Sequence, residues 1–181
     1  MSRGLGDVYK RQFLVSVMLA NNEIGVIQPI ENISKICKSR GITFHSDFAQ
    51  CLGYIELDNL LSDVNMITIS SHKIYGPKGI GLLLIDEEIN LEPIIVGGGQ
   101  EYGLRAGTLP LALVVGFAKA IEIAVFNQKN NAEKLIFYRN NLLEGLLENN
   151  SGLLINGSIE KRLPHNINLT ILDLNLSLIH I

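Results

Sequence analysis

"FLVSVMLANNEIGVIQPIENISKICKSRGITFHSD", residues 13–47, holds the reading on which the fold turns. Its first eight residues are a continuous apolar run with β-branched members, the pattern of a strand covered on both faces. A polar loop, "NNEIG", follows. From Pro29 onward Ile30, Ile33, Ile36 and Cys37 recur at helical spacing, and Gly41 supplies a stop after Lys38 and Arg40. "ITFHSD", 42–47, is then a second strand. Strand, amphipathic helix and strand in this order need a crossover connection, which makes the two strands parallel neighbours.

The same alternation continues outward. A short helix is expected over 58–62, a strand over "NMITISS" (65–71), and further strands over "GIGLLLI" (79–85) and "EPIIVGG" (92–98). Thr108 is placed to cap a helix with Pro110 near its start, and residues 131–150 read as a second long amphipathic helix. "GLLING" and "LPHNINLTIL" close the pattern as strands. The fold class is therefore α/β, a mixed, mostly parallel sheet flanked by helices. Residues 1–12 and 176–181 continue no pattern around them and are read as a non-native leader and tail.

Bulk composition narrows the function. The 181 residues are 47% hydrophobic and 18% charged, with a net charge of -3, so a sizeable core is available and no basic surplus exists for nucleic acid or an anionic membrane. The most apolar later segment, 109–126, is interrupted by Lys119 and Glu122 and is read as a buried helix, not a membrane span. Cys37 and Cys51 are the two cysteines, without CxxC spacing, which argues against a disulfide framework or a zinc site and fits a reducing, cytoplasmic compartment.

Several motifs fail on inspection. "SSHKIYGPKGIG" (70–81) is not a phosphate-binding P-loop, because Lys73 follows His72 and no Gly-Lys-Ser/Thr is present. Neither Gly79-Ile-Gly81 nor Gly97-Gly98-Gly99 completes a dinucleotide fingerprint, and no GxSxG elbow occurs. His45 and Asp47 lack companions at metal-site spacing, so His45 is read as a hydrogen-bonded strand histidine and no metal is expected.

What remains is a constellation at the carboxyl ends of successive strands, where open α/β sheets bind ligands. Asn22 follows the first strand, Asp47 and Gln50 the second, and Ser70, His72 and Lys73 the third. Each alone has an ordinary role in a turn, a cap or a solvated surface. Together they are the groups pyridoxal 5'-phosphate needs: an amine for the aldehyde, a carboxylate to keep the ring nitrogen protonated, and hydroxyl and imidazole donors for the phosphate.

The order of "NNEIGVIQPI", "HSDFAQ", "SSHKIYGPKGIG", "GGGQEYGLRAGTLP" and "INGSIEKRLPHNINLTI" resembles the cysteine desulfurases of the class V aminotransferase family, over about Phe13 to Asn175. The resemblance implies a fold-type I, pyridoxal-phosphate-dependent large domain, present in part over 13–127, then an interdomain helix and the start of a small α/β domain over 128–175. It implies Lys73 as the Schiff-base lysine and proton-transferring base, Asp47 on the pyridine nitrogen and Gln50 on the phenolic oxygen. Ser70 and His72 would meet the phosphate, Asn22 the ring oxygen and the substrate carboxylate, and Thr108 the phosphate in the partner subunit of a homodimer.

By the same resemblance L-cysteine is the substrate and L-alanine the product. Sulfur passes through a cysteine persulfide to acceptors such as iron–sulfur scaffold proteins. The family's catalytic cysteine and its carboxylate-binding arginine lie downstream of the last residue here, and neither Cys37 nor Cys51 matches by position. The chain by itself is thus expected to be inactive. Tyr102 stands where the family motif carries arginine, and Lys78 is read as structural. Other class V enzymes, a selenocysteine lyase or an aminotransferase, and a non-catalytic scaffold of the same fold remain alternatives.

Overall fold

The computed structural model describes residues 12–62 and 64–172. The leader read over 1–12, apart from Gln12, and the tail over 176–181 lie outside the described residues. The opening stretch folds as its pattern requires. Strand β1 (Leu14–Met18) leads into helix α1 (Ile30–Ser39), which buries Ile30, Ser34 and Cys37 on one face. Gly41, at φ +63, turns the chain out of the helix, a conformation glycine adopts without steric cost. Strand β2 (Thr43–Asp47) then lies parallel to β1, from Leu14 opposite Thr43 to Met18 opposite Asp47.

The one-turn helix α2 (Asp58–Leu61) precedes β3 (Met66–Ser70), parallel to β2, and a 3-10 turn, Ser71–Ile74. The "GPKGIG" turn reverses the chain, so β4 (Gly81–Ile85) returns antiparallel to β3 with Gly81 opposite Ser70. The resulting sheet, ordered β1-β2-β3-β4, is mixed and mostly parallel, as the sequence pattern predicts. Strands β5 (Leu153–Ile155) and β6 (Leu169–Ile171) form a separate antiparallel pair. The core lies between α1 and the sheet and under the turn after β2, with Leu19, Phe44, Phe48, Cys51 and Ile67 almost wholly buried. Inside it, the Ser46 hydroxyl donates to the Val17 carbonyl at 2.7 Å, so this hydroxyl enters the apolar layer with a partner.

Five expectations are corrected. Residues 92–98 are not a strand: Ile94 and Val96 face solvent and no described strand pairs with them, and apolar composition without a partner edge does not make a sheet. The two helices expected after Thr108 are one, α3 (Leu111–Asn149), about 58 Å long at the usual rise. The polar stretch at 127–131 contains no glycine or proline to break it, and Asn127 bonds back to the Ile123 carbonyl. Thr108 does not cap this helix; Pro110 holds the cap position without a side-chain bond.

The segment 109–126 is helical from Leu111 onward but is not buried. Phe117 and Ala120 face the core, whereas Leu111, Val115 and Phe126 stand mostly in solvent, so one stripe packs and the other faces have nothing described against them. By length and composition alone α3 is apolar enough to cross a membrane. Its packing stripe instead lies on the 3-10 turn and its surroundings: Gly116 lies against Pro77, Ala120 against Gly76, and Ala124 against Gly53. β1 is likewise an edge strand in this sheet, with Phe13 and Leu14 exposed, not covered on both faces.

Candidate active site

Parallel pairing brings three strand ends to one edge. Met18 is level with Asp47, and Asp47 with Thr68, so Asn22, Asp47 to Gln50 and Ser70 to Lys73 all leave the sheet from its carboxyl side. Because β4 begins at Gly81 opposite Ser70, the turn that carries Lys73 is closed by backbone pairing at that edge.

Asp47 is half-buried. Its Oδ1 accepts from the Ala49 N–H at 2.8 Å, which fixes the carboxylate over the turn, and its Oδ2 has no partner among the described residues. The turn itself is anchored by the fully buried Phe48 and Cys51, with the Phe48 N–H donating to the Thr68 carbonyl at 2.9 Å. Gln50, partly buried, lies between these anchors.

The lysine turn is held from below. Ser71 and Ile74 are buried, while His72 and Lys73 between them are exposed. The Ser70 hydroxyl and the Nδ1 of His72 are 3.1 Å apart, linking a hydroxyl and an imidazole on one short turn. Lys73 makes no hydrogen bond or ion pair among the described residues, whose one salt bridge is Lys119 with Glu122. Tyr75 ends the turn at φ 64, a left-handed conformation in which a bulky residue is strained. The Ser71 hydroxyl is buried without a partner among the described residues, pressed toward Gly76, where any Cβ would overlap it.

The loop that carries Asn22 is tied to distant sequence. Asn21 Oδ1 accepts from the Glu23 N–H at 2.6 Å, and the carbonyls of Asn22 and Glu23 both accept from the Asn166 side chain, at 2.9 and 3.1 Å. Asn166 and Arg162, both buried, were not singled out by the sequence reading; the one available signal was a polar residue inside "LPHNINLT", a run otherwise read as a strand. Burial and then the charge of Arg139 lower the Arg162 pKa from its ordinary value.

Thr108 stands apart from the other six, exposed on the loop ahead of α3 and without a hydrogen bond to them. His45 is held across the sheet, with Ser16 Oγ 2.7 Å from its Nδ1 and Thr68 Oγ1 3.3 Å from its Nε2, which matches the strand-histidine reading. Burial raises the pKa of both cysteines, that of Cys51 to about 12, so neither is a thiolate near neutral pH. A cleft of about 630 Å³ between the 52–54 turn and α3 contains none of the seven candidate residues; there Tyr54 packs on His165 at 4.3 Å between ring centres.

Known proteins resemble this chain in sequence and in fold. The chain is 45% identical over 159 residues to a cysteine desulfurase, IscS, of Vibrio vulnificus, covering 87% of this chain and 39% of that protein. It is 42% identical over 159 residues to a probable mitochondrial cysteine desulfurase of Dictyostelium discoideum, covering 87% of this chain and 35% of the relative. Among solved structures, a NifS-like protein superposes with a TM-score of 0.84 at 36% identity, over 97% of this chain and 49% of the other. The chain thus spans about two-fifths of the length of the curated relatives it matches. Residues 6–180 match the aminotransferase class-V family, and with the mixed sheet and these likenesses in agreement, the chain belongs to that family.

Proposed function

We propose that the whole protein of which this chain forms part is a pyridoxal-phosphate-dependent cysteine desulfurase, converting L-cysteine to L-alanine. The observation that carries this reading is the strand register, which sets a carboxylate, an unengaged lysine amine and a hydroxyl–imidazole pair on one sheet edge. That donor set fits the cofactor group by group. When bound, pyridoxal phosphate supplies a ring that accepts electrons as a bond to the substrate α-carbon breaks.

The chain's own residues divide the remaining work. Lys73 Nζ would hold the cofactor aldehyde and carry the proton taken from the α-carbon. Asp47, fixed by its bond from Ala49, would keep the ring nitrogen protonated, since a nearby negative charge raises that nitrogen's pKa. Gln50 would donate to the phenolic oxygen, and Ser70 and His72 would hold the phosphate at the start of the 3-10 turn. Asn22 would orient the ring oxygen and the substrate carboxylate. Thr108, exposed and apart, is assigned to the phosphate of a partner subunit in a homodimer.

The thiolate that takes the substrate sulfur, becoming a persulfide, is assigned to a residue beyond these 181, because Cys37 and Cys51 are both buried and neutral. Sulfur acceptors such as iron–sulfur scaffold proteins, and a cytoplasmic setting, complete the reading; the same name is also carried by a mitochondrial relative. Titrating the whole protein with pyridoxal phosphate tests it. A visible absorption band should form and be lost in Lys73→Ala, and alanine should appear from L-cysteine in the wild type alone. A cofactor band that survives Lys73→Ala would reject the assignment of the amine.

A further inference from the structure

We propose that Asn166 is a positioning residue for Asn22, a brace through which sequence near the end of the chain sets the geometry of the first strand-end loop. This deepens the reading above and rests on it. Asn166 is 8% exposed, and every hydrogen-bonding position of its amide group except one acceptor lone pair is engaged. Its Nδ2 donates to the carbonyls of Asn22 and Glu23, and its Oδ1 accepts from Arg162 Nη1 at 3.0 Å. Holding two successive carbonyls fixes the peptide planes after Asn22 and after Glu23, and with them the direction in which the Asn22 side chain leaves the backbone.

The brace is itself braced. Arg162 donates onward to the carbonyls of Ser158 and Asn156, so the buried guanidinium, with no carboxylate partner among the described residues, is satisfied by neutral acceptors that fix its plane. Backbone bonds run alongside, from the Ile27 N–H to the Lys161 carbonyl and from the Leu163 N–H to the Gly25 carbonyl, with Val26 bridged antiparallel to Arg162. Asn168 adds one more donor to the Glu23 carbonyl, at 2.9 Å. Gly25 sits at φ +75 with Asn166 where a side chain would begin. None of these groups is placed against the cofactor or the substrate; they act through the loop.

The test uses the whole protein, loaded with pyridoxal phosphate, and compares Asn166→Asp, Asn22→Ala and the double variant. Aspartate keeps the size and the acceptor facing Arg162 but turns an oxygen toward two carbonyls, so a residue that merely fills space tolerates it and a brace does not. Expected for Asn166→Asp is a cofactor dissociation constant or a KM for L-cysteine roughly tenfold higher, with kcat changed less. In the Asn22→Ala background the same change should add almost nothing.

Wild-type constants in Asn166→Asp beside an impaired Asn22→Ala overturn this proposal alone, as does full additivity in the double variant. An Asn22→Ala protein that binds cofactor and L-cysteine as the wild type does overturns both this and the assignment of Asn22. Should Asn166→Asp fail to fold, Asn168→Ala decides: a smaller shift in the same direction, absent without Asn22, supports the brace, and unchanged constants overturn it.

Discussion

The two loops that supply the ends of the candidate site are held in opposite ways. The Asn22 loop depends on residues 143 to 145 positions later in the chain, through the amides of Asn166 and Asn168. The Lys73 turn depends on its neighbours: the Gly76 N–H donates to the Ser71 carbonyl at 3.0 Å, and the Ser71 N–H to the Ile80 carbonyl at 3.3 Å. One loop therefore takes its hydrogen bonds from distant sequence, whereas the other makes its own locally and meets distant sequence only through the packing of α3 on Gly76 and Pro77. A change at Asn166 or Asn168 should disturb the first and leave the second in place.

The largest expected effect comes from breaking the long-range side at its tightest point. A methyl group at Gly25 meets both a left-handed backbone, costing about 1–2 kcal/mol for an ordinary residue, and the Asn166 side chain where its Cβ would lie. Overpacking adds about 1–3 kcal/mol, so Gly25→Ala should destabilise the protein by roughly 3 kcal/mol in urea unfolding. Loss of stability below about 1 kcal/mol would mean that the loop and Asn166 part easily, and the contrast between the two loops would fail.

The local side breaks at Gly76. A Cβ there would overlap the Ser71 hydroxyl and lie 3.0 Å from the Ala120 Cβ on α3. Gly76 carries no positive φ, so only the packing term applies and Gly76→Ala should cost roughly 2 kcal/mol. The readouts should also separate the loops. Gly76→Ala should weaken cofactor binding through the Ser70–His72 pair while leaving the Asn22 double-variant behaviour unchanged.

This contrast explains how far the sequence could be read. The β1–α1–β2 unit was legible because an apolar run, a helical repeat and a glycine stop each left a local mark, and parallel pairing follows from the crossover. Asp47 and Ser70 to Lys73 were legible as strand-end residues for the same reason. Residues 92–98 were misread because Ile94, Ile95 and Val96 look like a strand whether or not another strand lies beside them. The exposure of Leu111, Val115 and Phe126 was misread because composition reports what a helix could bury, not what lies against it. Asn166 was missed because its role depends on a loop more than 140 positions earlier, and spacing within "LPHNIN" carries no trace of it.

Cys51 lies where the two regimes meet, fully buried, with the Ala20 backbone and the Asp47 carboxylate both acting on its thiol. Burial does most to push its pKa to about 12; the Asp47 charge acts in the same direction and a hydrogen bond with the Ala20 backbone opposes them. In the unfolded chain the thiol ionises near its ordinary value of 9.0, so above that pH the unfolded state gives up a proton that the folded state keeps. Stability should accordingly fall by about 1.4 kcal/mol per pH unit from pH 9 toward 12, and be flat in this respect below pH 9. Tyr54, raised from 10.0 to about 12 mainly by burial, adds the same sign only above pH 10. Cys37, also raised by burial, adds the same sign in this window, so the comparison with Cys51→Ala isolates the thiol at urea midpoints of pH 8, 9 and 10: the variant should have a lower midpoint at pH 8 through the small cavity it leaves, yet a smaller loss between pH 9 and 10 than the wild type. An unchanged slope in Cys51→Ala would show that the thiol ionises freely in the folded protein. It would also reopen the question of whether this cysteine, next to Gln50 on the turn after β2, can act as a nucleophile.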